Sequence, residues 1–310
     1  MATPAPDVLG SIGNTPLIRL IRLPSPHGAE VWAKWEGANP TGSMKDRMAL
    51  QMVLGAERRG HLKPGYRVVE YTGGSTGSSL AMVCAAKGYR AHFVSSDAFA
   101  EEKLQTMRAF GATVEVVPSQ GGKITKDLIA SIVARAKELA AEPDTYWTDQ
   151  FNNPDNRAAY HRMGEEIVEQ TGGRVDAFVM VAGTGGCFSG NAETLKQRVP
   201  DVECIAVEPA TSRHLSGGEI GPHRIEGIGP GFVPRIMRKD LADRILAISS
   251  EDAYATARAL ARDEGVFAGI SSGANVLAAI QVAKELGPGR RVVTVLVDSG
   301  MKYLRGDLFA

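Results

Sequence analysis

The chain carries no surplus of either charge: Lys plus Arg and Asp plus Glu both number 35 in 310 residues. Proteins that live on nucleic acid or anionic lipid normally show a basic excess, so both kinds of partner are disfavoured. Long apolar runs are also missing. The longest, such as residues 177–182, fall far short of the about 20 residues a membrane-crossing helix needs. The opening MATPAPDVLG has neither the basic start nor the apolar stretch of a secretory signal. Cysteine is scarce, with Cys84, Cys187 and Cys204 odd in number and without a CxxC pair. A disulfide framework and a structural zinc site are therefore not expected, and a reducing cytoplasm is. Six histidines show neither HExxH nor paired ligand spacing, so no metal site is expected. An apolar content of 44 % with 23 % charge marks an ordinary globular chain of about two domains' length.

What is abundant is glycine. Its 35 residues exceed the usual share of about 7 %, and they cluster. Short β-branched runs at 31–35, 67–71, 91–95, 113–117, 146–148, 177–181, 203–207, 244–248 and 291–297 predict strands. Between them, helical periodicity predicts helices at 44–59, 76–87, 101–110, 125–141, 154–170, 188–198, 251–264 and 274–286. Strands apolar on both faces that alternate with helices predict an α/β fold with mostly parallel sheets covered on both sides. The elements form two sets that part near the QFNNPDN loop at 150–156, and residues 210–238 are Gly- and Pro-rich with little periodicity.

Three glycine clusters open helices: Thr72-Gly73-Gly74-Ser75-Thr76-Gly77, Gly183-Thr184-Gly185-Gly186-Cys187, and Gly269 to Gly273. Glycine lets backbone approach a ligand closely, and a helix N-terminus attracts an anion. In open α/β sheets such turns lie at the carboxyl edge, where ligands bind. A P-loop is not supported, because no GxxxxGK[ST] occurs. A dinucleotide fingerprint is matched only in half, since Phe188 stands where GxGxxG needs its third glycine. Two GxSxG matches suggest a nucleophile elbow, but no histidine follows His223 to serve a late base. Lys45 follows a Pro/Gly loop and opens a helix, where the dipole disfavours a cation. Burial and a positive helix end favour the neutral amine, which suits a lysine that forms a Schiff base. Such a lysine with a glycine-rich phosphate cradle is what a pyridoxal phosphate enzyme requires.

The motifs together resemble the cysteine synthase (O-acetylserine sulfhydrylase) and cystathionine β-synthase family of fold-type II pyridoxal phosphate enzymes. They run from IGNTPL (12–17) through NPTGSMKDR (39–47), TGGSTG (72–77), DQFNNP (149–154), GTGG (183–186), HRIEGIGPGFVP (223–234) and EGVFAGISSGAN (264–275) to DSGMKYL (298–304). This order covers nearly the whole chain.

The resemblance implies two three-layer domains with the cofactor in the cleft between them. The smaller would span 40–155 and be mobile; the larger, gripping the phosphate, would comprise 1–39 and 156–310. Lys45 would join the cofactor aldehyde and later move the substrate α-proton. Gly183, Thr184, Gly185, Gly186 and Cys187 would cradle the phosphate, and Ser299 would face the pyridine nitrogen. Thr72, Gly73, Gly74, Ser75 and Thr76, with Gln150, would bind the substrate carboxylate, and Gly227 would face the amino acid. The implied reaction is β-replacement on an O-activated L-serine, O-acetyl or O-phospho, through an aminoacrylate that a nucleophile such as sulfide attacks. Deamination by β-elimination and a non-catalytic binding protein are the alternatives. A homodimer and a serine acetyltransferase partner are implied for assembly. Two departures bear on the leaving group and nucleophile. Gly73 and Ser75 stand where the family has Ser and Asn, so Ser75 takes the place of the Asn that contacts the cofactor, and Cys187 stands where it has Thr. Each shortens or removes a polar side chain and leaves the backbone N–H groups in place.

Overall fold

The computed structural model describes residues 4–310. In chain order it begins with β1 (Leu17–Leu20) and β2 (Glu30–Trp35), followed by α1 (Lys45–Arg58), β3 (Arg67–Tyr71), α2 (Ser75–Lys87), β4 (Arg90–Ser96), α3 (Glu101–Ala109), β5 (Thr113–Val117), α4 (Lys126–Ala140) and β6 (Thr145–Trp147). The strands β3 to β6 form a four-stranded parallel sheet in the order β5-β4-β3-β6. With α1 to α4 they make up one compact unit, Lys45–Asp155, to which a segment ending at Ile12 also belongs. Its packing follows from the periodicity of α4. Leu128, Ile132, Ala136 and Leu139 recur on one helix face and bury against Val69 and Val94 of the sheet. Each of the leucine and isoleucine side chains, once buried, contributes about 1.5–3 kcal/mol.

The second unit is Gly13–Met44 with Asn156–Ala310. Its later elements are α5 (Pro154–Ala158), which straddles the boundary, α6 (His161–Thr171), β7 (Ala177–Val181), α7 (Gly186–Arg198), β8 (Glu203–Pro209), β9 (Arg244–Ile248), α8 (Ser250–Ala259), α9 (Ile270–Leu286) and β10 (Arg291–Leu296). The six-stranded sheet has the order β1-β2-β10-β7-β8-β9; β1 is antiparallel and every other pairing is parallel. All five residues of β7 are buried, as the doubly apolar run at 177–181 predicts. Residues 39–44 belong to this unit because their backbone pairs with the chain after β10. Met44 N–H donates to Val297 O (2.9 Å), and Ser299 N–H donates to Gly42 O (2.9 Å).

Beyond shifts of one or two residues at element ends, the predicted elements differ from the observed ones at four places. β1 has no counterpart in the prediction. The single helix at 154–170 is two, because Tyr160 turns its ring into the core and its N–H bonds Arg157 O in a tighter i→i+3 turn (3.1 Å). The helix at 251–264 ends at Ala259 and continues as a π turn, Leu260–Glu264. The third glycine cluster caps α9 with Gly269 and otherwise lies inside it, since α9 starts at Ile270 and not at 274. Among the described residues, no helix is long and apolar enough to cross a membrane.

Candidate active site

In each sheet the strand order reverses once, and ligand crevices form at such switch points beyond the strand carboxyl ends. In the first unit the chain steps from β3 outward to β4 and β5, then returns to place β6 on the other side of β3. The TGGSTG turn leaves β3, and Gln150 leaves β6. The turn is folded around Thr72, whose Oγ1 accepts the N–H groups of Gly74 (3.1 Å) and Gly77 (3.2 Å). The carbonyl of Thr72 accepts Ser95 Oγ from β4 (2.7 Å). Thr76 Oγ1 donates to Gln150 Oε1 (2.9 Å), and Gln150 Nε2 donates to Tyr71 O (3.2 Å). A side chain at Gly73 would overlap the ring of Phe99, and one at Gly74 would run into Lys103. Thr72, Gly73, Gly74, Ser75, Thr76 and Gln150 thus gather in one place, with α2 opening at Ser75. Backbone N–H groups at a helix start beside a side-chain amide form a receptor for a carboxylate.

The second unit repeats this arrangement. From β7 the chain moves out to β8 and β9, and β10 comes back on the other side of β7. The ladder between β7 and β10 ends at Thr294 opposite Val179. Beyond it the buried Asn275 of α9 spans the gap, accepting Val181 N–H (2.7 Å) and donating to Val295 O (2.7 Å). The Gly183–Cys187 turn leaves β7, and Ser299 follows β10. Gly185 has φ +81°, the left-handed region that favours glycine. A Cβ on Gly183 would overlap Gly227 O, and one on Gly186 would overlap the amide of Asn156. The turn is backed by that amide, with Asn156 Nδ2 donating to Thr184 Oγ1 (3.1 Å). Gly227 therefore packs behind Gly183. Cys187 is buried as the second residue of α7, and Asn191 Nδ2 donates to its carbonyl (2.8 Å) and lies 3.5 Å from its Sγ. The first N–H groups of α7 have no intrahelical acceptors, and the helix dipole adds positive potential there. A glycine turn this close to backbone, at a helix start, suits a phosphate.

Ser299 Oγ accepts Met301 N–H (3.3 Å), which leaves its own proton to donate to an acceptor. Asp298 beside it is held by the Tyr303 hydroxyl (2.8 Å). Residues 42–44, whose backbone pairs with the chain around Ser299, lead directly to Lys45, which opens α1 at 9 % exposure.

Four residues of these sites are not foreseen from the sequence. Asn156 and Met237 back the phosphate-type turn, Asn275 bridges the diverging strands, and Glu70 lies beneath Gln150. A signal for Glu70 does exist: an acid inside a strand apolar on both faces must be paired if it is buried. Glu70 is completely buried, and burial pushes its carboxyl up to about 7 despite the hydrogen bonds it accepts. Among the described residues, no group of three or more His, Cys, Asp or Glu side chains is placed to hold a metal ion.

Comparison with known proteins gives this geometry a lineage. Residues 8–298 match the family model described as pyridoxal-phosphate dependent enzyme. A cysteine synthase of Staphylococcus aureus is 41 % identical over 309 residues, covering 99 % of this chain and 98 % of its own. The crystal structure of an O-ureido-L-serine synthase superposes with a TM-score of 0.92 at 38 % identity, covering 98 % of this chain and 95 % of that one. A cysteine synthase structure from Entamoeba histolytica gives 0.91 at 36 % identity, covering 100 % and 93 %. Two glycine turns at two switch points and a lysine at the head of a helix thus belong to a known lineage, and the chain is a member of the pyridoxal-phosphate-dependent enzyme family.

Proposed function

We propose that the chain exchanges the acetate of O-acetyl-L-serine for sulfide, giving L-cysteine. The observation that carries this reading is the pair of anion-receiving turns, one at each switch point, in a chain whose α1 opens on a nearly buried lysine. Pyridoxal phosphate fits the residues present. The Gly183–Cys187 turn offers its phosphate a helix start free of side chains, Ser299 a hydroxyl for its ring nitrogen, and Lys45 an amine for its aldehyde. When bound, the cofactor supplies an electron sink for bond changes at the α and β carbons of an amino acid.

The protein's own residues do the rest. The N–H groups of Gly73, Ser75 and Thr76 and the Gln150 amide hold the substrate carboxylate and so fix which bond at the α-carbon lies along the reactive direction. Lys45 Nζ takes the α-proton as acetate departs from the β-carbon, and returns it after sulfide adds. The first unit is thereby the substrate-binding domain and the second the phosphate-binding one. A hydroxyl at Ser299, where a carboxylate would hold the ring nitrogen protonated, keeps the sink moderate and favours replacement at the β-carbon. A cytoplasmic homodimer associated with serine acetyltransferase completes the reading, tested by sedimentation with and without that enzyme.

Purified protein supplied with sulfide and O-acetyl-, O-phospho- or unmodified serine tests the proposal. Cysteine should form from O-acetylserine, and Lys45→Ala should lower kcat by about 10³-fold or more, the scale of losing an acting base. Pyruvate as the main product, with no amino acid formed, would turn the reading to deamination. Full activity in Lys45→Ala would remove the catalytic claim.

A further inference from the structure

Glu70 is a residue that none of these roles explains. It lies in β3, one position before the strand ends, with its side chain sealed from solvent. A buried carboxylate is tolerated only where its lone pairs are filled. Four donors fill them. Oε1 accepts Tyr71 N–H (3.0 Å) and Trp147 Nε1–H (3.3 Å), and Oε2 accepts the Thr148 hydroxyl (2.6 Å) and Gln150 N–H (3.0 Å). Tyr71 and Trp147 belong to the two strands that flank the switch point, and Thr148 and Gln150 to the chain just past β6. The set ends at Gln150, just after Asp149, which has φ +47°.

Gln150 is consequently held at two levels. Its backbone is tied to Glu70, and its amide is tied to Thr76 Oγ1 and Tyr71 O. We propose that Glu70 is a positioning residue for the substrate-carboxylate subsite, acting through the Gln150 backbone to hold that amide against the Thr72–Thr76 turn. The inference rests on the reading of that turn as the carboxylate receptor.

The donor set shows why a carboxylate is required. Two backbone N–H groups and an indole N–H cannot reverse direction; only the Thr148 hydroxyl can. In Glu70→Gln the single oxygen therefore keeps Tyr71 and Trp147, while the NH₂ faces Oε2's former partners. Thr148 turns to accept from it, and Gln150 N–H is left opposed by another donor. The substitution conserves shape and releases one anchor, the one beneath the subsite.

The test compares the holoenzyme of the parent, Glu70→Gln, Gln150→Ala and the double variant by steady-state kinetics with O-acetyl-L-serine and sulfide at about pH 8.5, where the Glu70 carboxyl is ionised and can accept all four donors. Glu70→Gln should raise KM for O-acetylserine about tenfold with kcat within about twofold, the pattern of lost ground-state binding. The double variant should show no more than the KM of Gln150→Ala, because both changes remove one interaction. A parental KM in Glu70→Gln, or KM effects that multiply in the double variant, overturns the inference while leaving the receptor reading intact. A parental KM in Gln150→Ala overturns both. If Glu70→Gln does not fold, Thr148→Val removes a donor from the same oxygen; a KM raised about threefold at constant kcat supports the role, and an unchanged KM overturns it.

Discussion

A methyl group on Gly183 has no room, because the carbonyl oxygen of Gly227 already occupies that space. Neither neighbour is the tip of a flexible side chain, so relief requires backbone movement in the turn or in the 223–231 segment behind it. Overpacking of this kind costs about 1–3 kcal/mol. Gly183→Ala is therefore expected to weaken pyridoxal phosphate retention by about ten- to a hundredfold at that cost, read from the cofactor absorbance left after dialysis. Unchanged retention would show that the turn can shift freely. By contrast Gly227, at φ +79° with nothing near its missing side chain, is constrained by conformation and not by space. The two glycines look alike in sequence, and only the packing separates a steric requirement from a backbone one.

At the level of elements, caps and stripes explain what periodicity alone could reach. Thr125 caps α4 by accepting Leu128 N–H (3.2 Å), and the apolar stripe from Leu128 to Leu139 then meets the sheet. Thr125→Ala should lower stability by about 1 kcal/mol, measured by urea unfolding, with kinetics unaltered; a loss near zero would mean that packing alone holds the helix start. This stripe is legible in the sequence because it recurs at helical spacing. β1 is not: LIRL is four residues long, and it forms a strand because its register with β2, Leu17 opposite Lys34 to Leu20 opposite Val31, supplies the pairing. The π turn at Leu260–Glu264 is equally illegible. Glu264 accepts the N–H groups of Ile21, Arg22 and Leu23 (2.7–3.0 Å), partners more than 240 positions away in sequence.

Over the whole molecule, the buried acid on β3 gives folding a pH dependence of definite sign. Glu70 titrates near 4.5 in an exposed setting and is pushed up to about 7 by burial. The native chain therefore binds its proton more tightly than the unfolded chain does. Stability from this group is complete below about pH 4.5 and falls as pH rises through about 7, by about 3 kcal/mol in total, then stays level. His92, held below its usual value mainly by burial, acts oppositely by favouring the native state as pH rises, so the Glu70 contribution must be isolated by difference. Unfolding free energies of the parent minus those of Glu70→Gln should decline by about 3 kcal/mol between pH 4.5 and 7.5; parallel profiles would rule the assignment out.

The sequence by itself determined the alternation of strand and helix, the parallel sheets, the glycine turns and Lys45 at a helix start. All of these are encoded by spacing within a short window, where period and residue type speak directly to local geometry. The roles proposed for Gln150, Ser299 and Gly227 were accessible only through the family resemblance, since nothing local distinguishes them. Tertiary structure alone decided that the TGGSTG turn meets Gln150, that Asn275 closes the gap between β7 and β10, and that Glu70 is buried beneath both chain ends of the first switch point. Each joins residues tens of positions apart through a strand order that no local pattern records, because pairing partners are chosen by how the assembled layers bury their faces.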